Sequence, residues 1–269
     1  MFDHNRILKQ PEYEASGRSN KLAYYVIGVD VGRKGCDTVA TVIKVTPQSN
    51  GAAIKTVVNI FSVTDEHFED QAIFIKKLYY KFKARRMIVD GNGLGIGLID
   101  YLVKPQVDPI TNDIVPDFGI YNDDENYYKK YQTQDCETNA IYIIKANAPI
   151  NTEAHANVQV QLSSGKLKFL IDEREAKAKL MGQKVGQKMT PEQRADYLKP
   201  FTLTSILKEE MMNLREENEG VNIILKQANK LIKKDKFSSL EYALYYIKQE
   251  EESKKKKHKM DVSKLMFFN

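Results

Sequence analysis

Two aspartates stand where an apolar strand pattern stops. The run "YYVIGVDVGRKG" (24–35) heads for a protein interior and halts on Asp30, with glycines on both sides. "RRMIVD" (85–90) does the same at Asp90, and "GNGLG" follows it. A buried carboxylate is costly unless a hydrogen-bond donor, a basic partner or a metal ion compensates it. Open α/β sheets bind ligands in the crevice beyond their strand ends. Adjacent strands lie roughly 5 Å apart, so the two carboxylates nearly touch if their strands pair. At that distance they repel and one pKa rises; a divalent cation removes the conflict, and oxygen-only donors favour Mg2+ or Mn2+. Each Asp alone also reads as the cap of the turn after its strand. Both together, with glycines that let a ligand near the backbone, favour a metal site.

Holding two ions calls for a third carboxylate. "KKDKFSSLEYALYYI" (233–247) offers Asp235 just before a helix, where Asp is also an ordinary N-cap. Glu241 competes with it, almost two turns further on and about 9 Å along the axis.

The elements that must carry these groups follow from periodicity. Residues 24–30 read as a strand buried on both faces. Val39, Ile43 and Val45 mark a second strand, and Ile54–Phe61 a third beyond the turn "QSNGA", giving an antiparallel meander. Phe68, Ala72, Ile75, Tyr79 and Phe82 fall at helical spacing, and Leu94, Leu98 and Leu102 line another helix. The segment from Pro105 to Asp135 is loop-rich, with a strand near Phe118–Tyr121. Residues 140–147 and "KLKFLI" after Gly165 are strand-like, and Thr152 to Leu162 helical. Residues 173–200 read as charged and partly helical, ending at Pro200. Thr202 or Thr204 then caps a helix through Leu203, Ile206, Leu207, Met211 and Leu214. "VNIILKQ" (221–227) is a late strand, and Phe237, Leu240, Ala243, Leu244 and Ile247 mark the last helix. The order predicts an α/β domain with a mixed central sheet flanked by helices. Residues 1–22 read as a lead-in or linker remnant, 23–252 as the domain, and 253–269, with "KKKKHK", as a solvated basic tail.

"VIGVDVG", "MIVDGNGLGIGLIDYL", "SGKLKFLI", "QKMTPEQRADYLKPFTLTSILKEEMMNLR" and "KDKFSSLEYALYYIK", in this order, resemble the nuclease domain of the large terminase subunit of tailed bacteriophages over roughly residues 22–252. The resemblance implies a ribonuclease H-like fold and an endonuclease that cuts double-stranded DNA with two divalent metal ions, Mg2+ or Mn2+, during viral genome packaging. Its acidic metal ligands carry over to Asp30, Asp90 and Asp235, the last flanked here by Lys234 and Lys236 where many relatives have further acids. It also implies an ATPase motor, as another domain or chain, a portal and a small terminase subunit as partners, and the cytoplasm of the bacterial host. No G-x-x-x-x-G-K-[ST] motif occurs in this chain. One ion would lower the pKa of a water nucleophile and the other stabilise the leaving 3′ oxygen. Duplex DNA should dock through phosphate contacts with little base readout. Arg33 and Lys34, right after Asp30, and Lys166 and Lys168, beside the strand after Gly165, are the candidate contacts. Each also reads as a solvated surface charge.

Composition narrows the rivals. The 269 residues are 42% hydrophobic and 29% charged, with a net charge of +5, which permits a polyanionic partner without demanding one. Cys36 and Cys136 show no metal-ligand spacing, which argues against zinc or a disulfide framework and fits a reducing cytoplasm. No run approaches the roughly 20 apolar residues of a membrane span, and the N-terminus lacks a signal-peptide pattern. The four histidines (His4, His67, His155, His258) are not paired for a histidine-based metal nuclease. "EAK" (175–177) imitates a restriction-type motif but sits in a charged helical stretch. An actin-like or sugar-kinase-type ATPase also begins with an apolar strand, Asp and Gly, yet it needs a duplicated half that this chain lacks. A non-catalytic DNA-binding module, with the aspartates as caps, is the remaining reading, and metal-dependent DNA cleavage separates it from a nuclease.

Overall fold

The computed structural model describes residues 7–18, 22–32, 35–49 and 51–266. After the short strand β1 (Leu8–Gln10) come β2 (Tyr24–Asp30), β3 (Asp37–Gln48) and β4 (Gly51–Thr64). These three form the expected antiparallel meander, with Tyr24 opposite Val45 and Asp30 opposite Val39. Helix α1 (Phe68–Phe82) leads to β5 (Ala84–Asp90), and α2 (Leu94–Leu102) follows. The loop-rich stretch holds β6 (Gln106–Val107), β7 (Ile114–Val115) and β8 (Phe118–Ile120), before β9 (Glu137–Ile144), α3 (Ala148–Ser163) and β10 (Leu167–Leu170). Next are α4 (Glu173–Met181), α5 (Lys184–Lys188), α6 (Pro191–Met212), the hairpin β11 (Leu214–Glu219) and β12 (Asn222–Gln227), and α7 (Asp235–Met266).

Eight strands make a mixed central sheet in the order β1-β10-β4-β3-β2-β5-β9-β8. Side chains alternate across a strand, so β2 feeds two cores. Tyr25, Ile27 and Val29 join α1 and α2 on one face, while Val26 joins α3, α6 and α7 on the other. Helix α7 docks with Phe237, Leu240, Ala243, Leu244 and Ile247, all buried. Gly28 lets it come close: a Cβ there would sit 1.9 Å from the Ser239 carbonyl oxygen. Beside it the Thr41 and Ser239 hydroxyls share a 2.6 Å hydrogen bond. Farther along α7, Glu250 accepts from Tyr24 and Arg85, and Glu251 from Lys55 and the Ala53 amide, fixing the helix to the opposite end of the sheet.

Several local expectations are corrected. The charged helical stretch does not end at Pro200; α6 runs through it, because Thr190 starts the helix with a capping box to Gln193 and Pro191 occupies the first turn. Thr202 and Thr204 are therefore interior, each hydroxyl donating to the carbonyl four residues back. Leu214 leaves the helix for the β11–β12 hairpin, which lies outside the central sheet. Helix α3 begins at Ala148, where Asn147 caps the Ile150 amide. In the segment expected as lead-in, β1 pairs in parallel with β10. The backbone of α7 stays helical through the basic run to Met266. No helix among the described residues is long and apolar enough to cross a membrane.

Candidate metal centre

Register brings the two strand-end aspartates side by side. Strands β2 and β5 pair in parallel with Val29 opposite Val89, so Asp30 and Asp90 are the next residues on neighbouring strands. Each shares the parity of a residue in the α7-side core, Val26 for Asp30 and Ile88 for Asp90. Both carboxylates therefore face α7. Tyr242 of that helix donates to Asp90 Oδ2 at 3.3 Å, and the Asn92 amide donates to Asp90 Oδ1 at 3.0 Å. Behind Asp90 the chain turns sharply into α2. A Cβ on Gly95 would lie 1.6 Å from the Asp90 carbonyl oxygen, so only glycine allows that turn.

Asp235 opens α7 and joins this pair. Burial pushes the Asp30 carboxyl up to about 7, reinforced by the negative charges of Asp235 and then Asp90 and opposed by Lys234. Asp90 is raised by burial, partly offset by its Asn92 and Tyr242 donors. Asp235 is also raised by burial, against the pull of Lys233 and Lys236, and its Oδ2 is buried with no hydrogen-bond partner among the described residues.

A fourth carboxylate completes the cluster and was not foreseen. Glu210 of α6 is buried, and its Oε2 accepts the Phe237 amide at 2.9 Å, capping the first turn of α7. Burial pushes it up to about 7; the Phe237 amide and Lys236 oppose that rise, and Asp235 adds to it. The signal was present in "LKEEMMNL": Glu210 lies beside Leu207, Met211 and Leu214 on the buried stripe of a helix, where an acid is out of place.

Glu241, the competitor for third ligand, is held elsewhere. It is buried and pairs with Nδ1 of His155 on α3. Lys234 and Lys233 are exposed beside the centre, and Lys233 Nζ donates to the Gly35 carbonyl at 3.1 Å. Arg33 and Lys34 lie outside the described residues. Lys166 and Lys168 are not brought to the centre. Strand β10 runs parallel to β2 three places along the sheet, and Lys168 is level with Thr56, Lys44 and Tyr25, at the end of the sheet away from Asp30.

Asp30, Asp90 and Asp235 offer hard oxygen donors and an orphaned carboxylate oxygen, and Glu210 behind them adds to the excess negative charge. That is the chemistry that suits Mg2+ or Mn2+. Among the described residues, no group of three or more His, Cys, Asp or Glu side chains is already gathered at ligating distance.

The chain matches no protein-family profile and none of the curated proteins. Its fold does match solved structures. The large terminase nuclease from the thermophilic phage G20c with bound magnesium superposes with a TM-score of 0.51 at 13% identity, covering 89% of this chain and 93% of that one. The same phage nuclease with bound cobalt gives 0.51 at 12% identity, with the same coverage. The mixed sheet, the flanking helices and this likeness agree: the chain has the ribonuclease H-like fold of large terminase nucleases.

Proposed function

We propose that this chain is a metal-dependent endonuclease that cuts double-stranded DNA during viral genome packaging, the nuclease of a large terminase. The observation that carries the reading is the strand register that sets Asp30 beside Asp90, with the charges of Asp235 and Asp90 adding to the burial that pushes Asp30 up to about 7. Carboxylates forced together in this way are destabilising on their own and favourable only around a cation. The G20c nuclease of like fold is described with bound magnesium and with bound cobalt, which accords with a divalent-ion site here.

Asp30, Asp90 and Asp235 would hold Mg2+ or Mn2+, two ions per site. When bound, such ions supply an activated water nucleophile and stabilise charge on the leaving 3′ oxygen of a phosphodiester. The protein's own contribution is placement. The β2–β5 register fixes Asp30 beside Asp90, Tyr242 and Asn92 orient Asp90, and the docked start of α7 supplies Asp235. Exposed Lys233 and Lys234 would offer contacts to duplex phosphates, as would Arg33 and Lys34, which follow Asp30 in sequence. Contacts of this kind read the backbone and not the bases. The partners of the reading are duplex DNA, an ATPase motor domain or chain, a portal and a small terminase subunit, in the host cytoplasm.

The test is cleavage of supercoiled plasmid by the purified chain. Nicked and linear products with Mg2+ or Mn2+, and none after chelation, are expected. Full activity after exhaustive chelation overturns the reading, and ATP turnover by the isolated chain would favour the actin-like alternative.

A further inference from the structure

Lys236 is a buried cation inside an acidic centre, and its direction is unexpected. It follows Asp235 in sequence and is 4% exposed, so it cannot reach a DNA phosphate. Its ion pairs run the other way: Nζ lies 3.5 Å from Glu210 Oε1 and 3.7 Å from Asp37 Oδ2. Glu210 is 1% exposed and holds α7 twice, through Lys236 and through the Phe237 amide at 2.9 Å. Its Oε1 has no hydrogen bond among the described residues, which leaves the ammonium as that oxygen's partner. Asp37, at the start of β3, is itself fixed by the Thr64 hydroxyl at 2.7 Å. Three elements around the site, β3, α6 and α7, thus share one charge chain, buried at Glu210 and Lys236 and half-buried at Asp37.

We propose that Glu210 is a positioning residue whose charge holds the Lys236 ammonium away from Asp235 and Asp30, leaving those carboxylates open to divalent cations. Without Glu210 the ammonium keeps only Asp37, at 3.7 Å, against the charge of Asp235 that also acts on it, and an internal Lys236–Asp235 pair would compete with the ion. The inference rests on the metal reading of the site. It differs from direct ligation because it makes the effect of Glu210 depend on Lys236.

The experiment measures Mn2+ binding to the full chain by calorimetry, with melting curves alongside, so that the readout is independent of cleavage. Glu210→Gln keeps the shape and an acceptor for the Phe237 amide. It is expected to weaken Mn2+ binding about tenfold or more, as an uncompensated charge near a divalent ion should. Adding Lys236→Met to Glu210→Gln is expected to restore binding to within about threefold of wild type, since the net charge is then unchanged. Lys236→Met alone is expected to bind Mn2+ at least as tightly as wild type, and this arm decides the matter if Glu210→Gln does not fold. Unchanged binding in Glu210→Gln overturns the proposal, as does a double variant that stays weak, which would make Glu210 a direct ligand. Weaker binding in Lys236→Met overturns it too. Wild-type chain that takes up no Mn2+ overturns both this proposal and the metal reading, whereas normal uptake with indifferent variants overturns only this one.

Discussion

Asp30 closes β2 and Asp172 lies just past β10, at the C-terminal ends of parallel strands in one sheet, and they meet opposite surroundings. Asp172, beyond β10, accepts from Lys9 of β1 and Lys208 of α6, each at 2.7 Å, and its carboxyl is held down at about 2. Asp30, the last residue of β2, faces Asp235 and Asp90, and burial with their charge pushes it up to about 7. The first arrangement ties an edge strand and a helix to the sheet and is complete as it stands. The second leaves its like charges uncompensated, and on the proposed reading a cation from outside the chain completes it. Carboxylates at equivalent places in the sheet thus brace the fold where lysines meet them and, on that reading, serve chemistry where other carboxylates do.

The largest expected effect breaks the comparison at its catalytic end. Asp30→Asn and Asp235→Ala should each reduce metal-dependent plasmid cleavage to background. In the metal-free protein at pH 7, Asp30→Asn should also raise the melting temperature, by about 2–4 °C for each kcal/mol of relieved repulsion. Wild-type-like cutting by Asp30→Asn would remove it from the site.

At the structural end, Asp172→Ala should act in the reverse sense. It leaves Lys208, 2% exposed, without its carboxylate and should cost about 3 kcal/mol in denaturant unfolding, with cleavage by the folded fraction intact. Loss of cutting without loss of stability would merge the two classes.

The pH dependence sharpens the contrast. Asp30 and Glu210 have folded pKa values raised from 3.8 and 4.5 to about 7, so their contribution to stability is full below their unfolded values and is lost as pH rises through about 7. Asp172 is lowered from 3.8 to about 2, so its contribution is present above about 4 and lost as pH falls toward 2. Melting curves without metal should therefore decline on both sides of a mildly acidic optimum. Mn2+ should flatten the upper limb and leave the lower one unchanged. An upper limb that is flat without metal would contradict the strain assigned to the centre.

The smallest expected effect concerns Glu241. Because it is committed to His155, Glu241→Ala should cost about 1–3 kcal/mol through an unsatisfied buried partner, and cleavage by the folded fraction should persist. Cleavage lost in Glu241→Ala and kept in Asp235→Ala would move the third ligand.

Much of this was legible in the sequence because local patterns imposed it. Continuous apolar runs gave β2 and β5, and alternation with the "QSNGA" turn gave the meander. The placement of Asp30 beside Asp90 needed only parallel pairing of their strands. What was hidden depended on contacts distant in sequence. The approach of α6 to the start of α7 decides that Glu210 enters the centre, and a helix periodicity says only that the residue lies near a buried stripe. Pro200 misled because a proline inside a helix is usually a stop; here the Thr190 cap and tertiary packing override it. The commitment of Glu241 likewise required α3 to bring His155 against α7.

The docking of α7 against Gly28 also sets a time for the chemistry. Asp30 and Asp90 belong to the first half of the chain, whereas Asp235 arrives 145 residues after Asp90 (235 minus 90). At translation speeds of about 5–20 residues per second, that gap lasts roughly 7–30 s. During it a nascent chain carries two of the three carboxylates and no helix to supply the third. On the proposed reading, unfinished chains therefore hold no complete site. On the same reading, the capacity to cut DNA comes with the closing of α7 over the sheet.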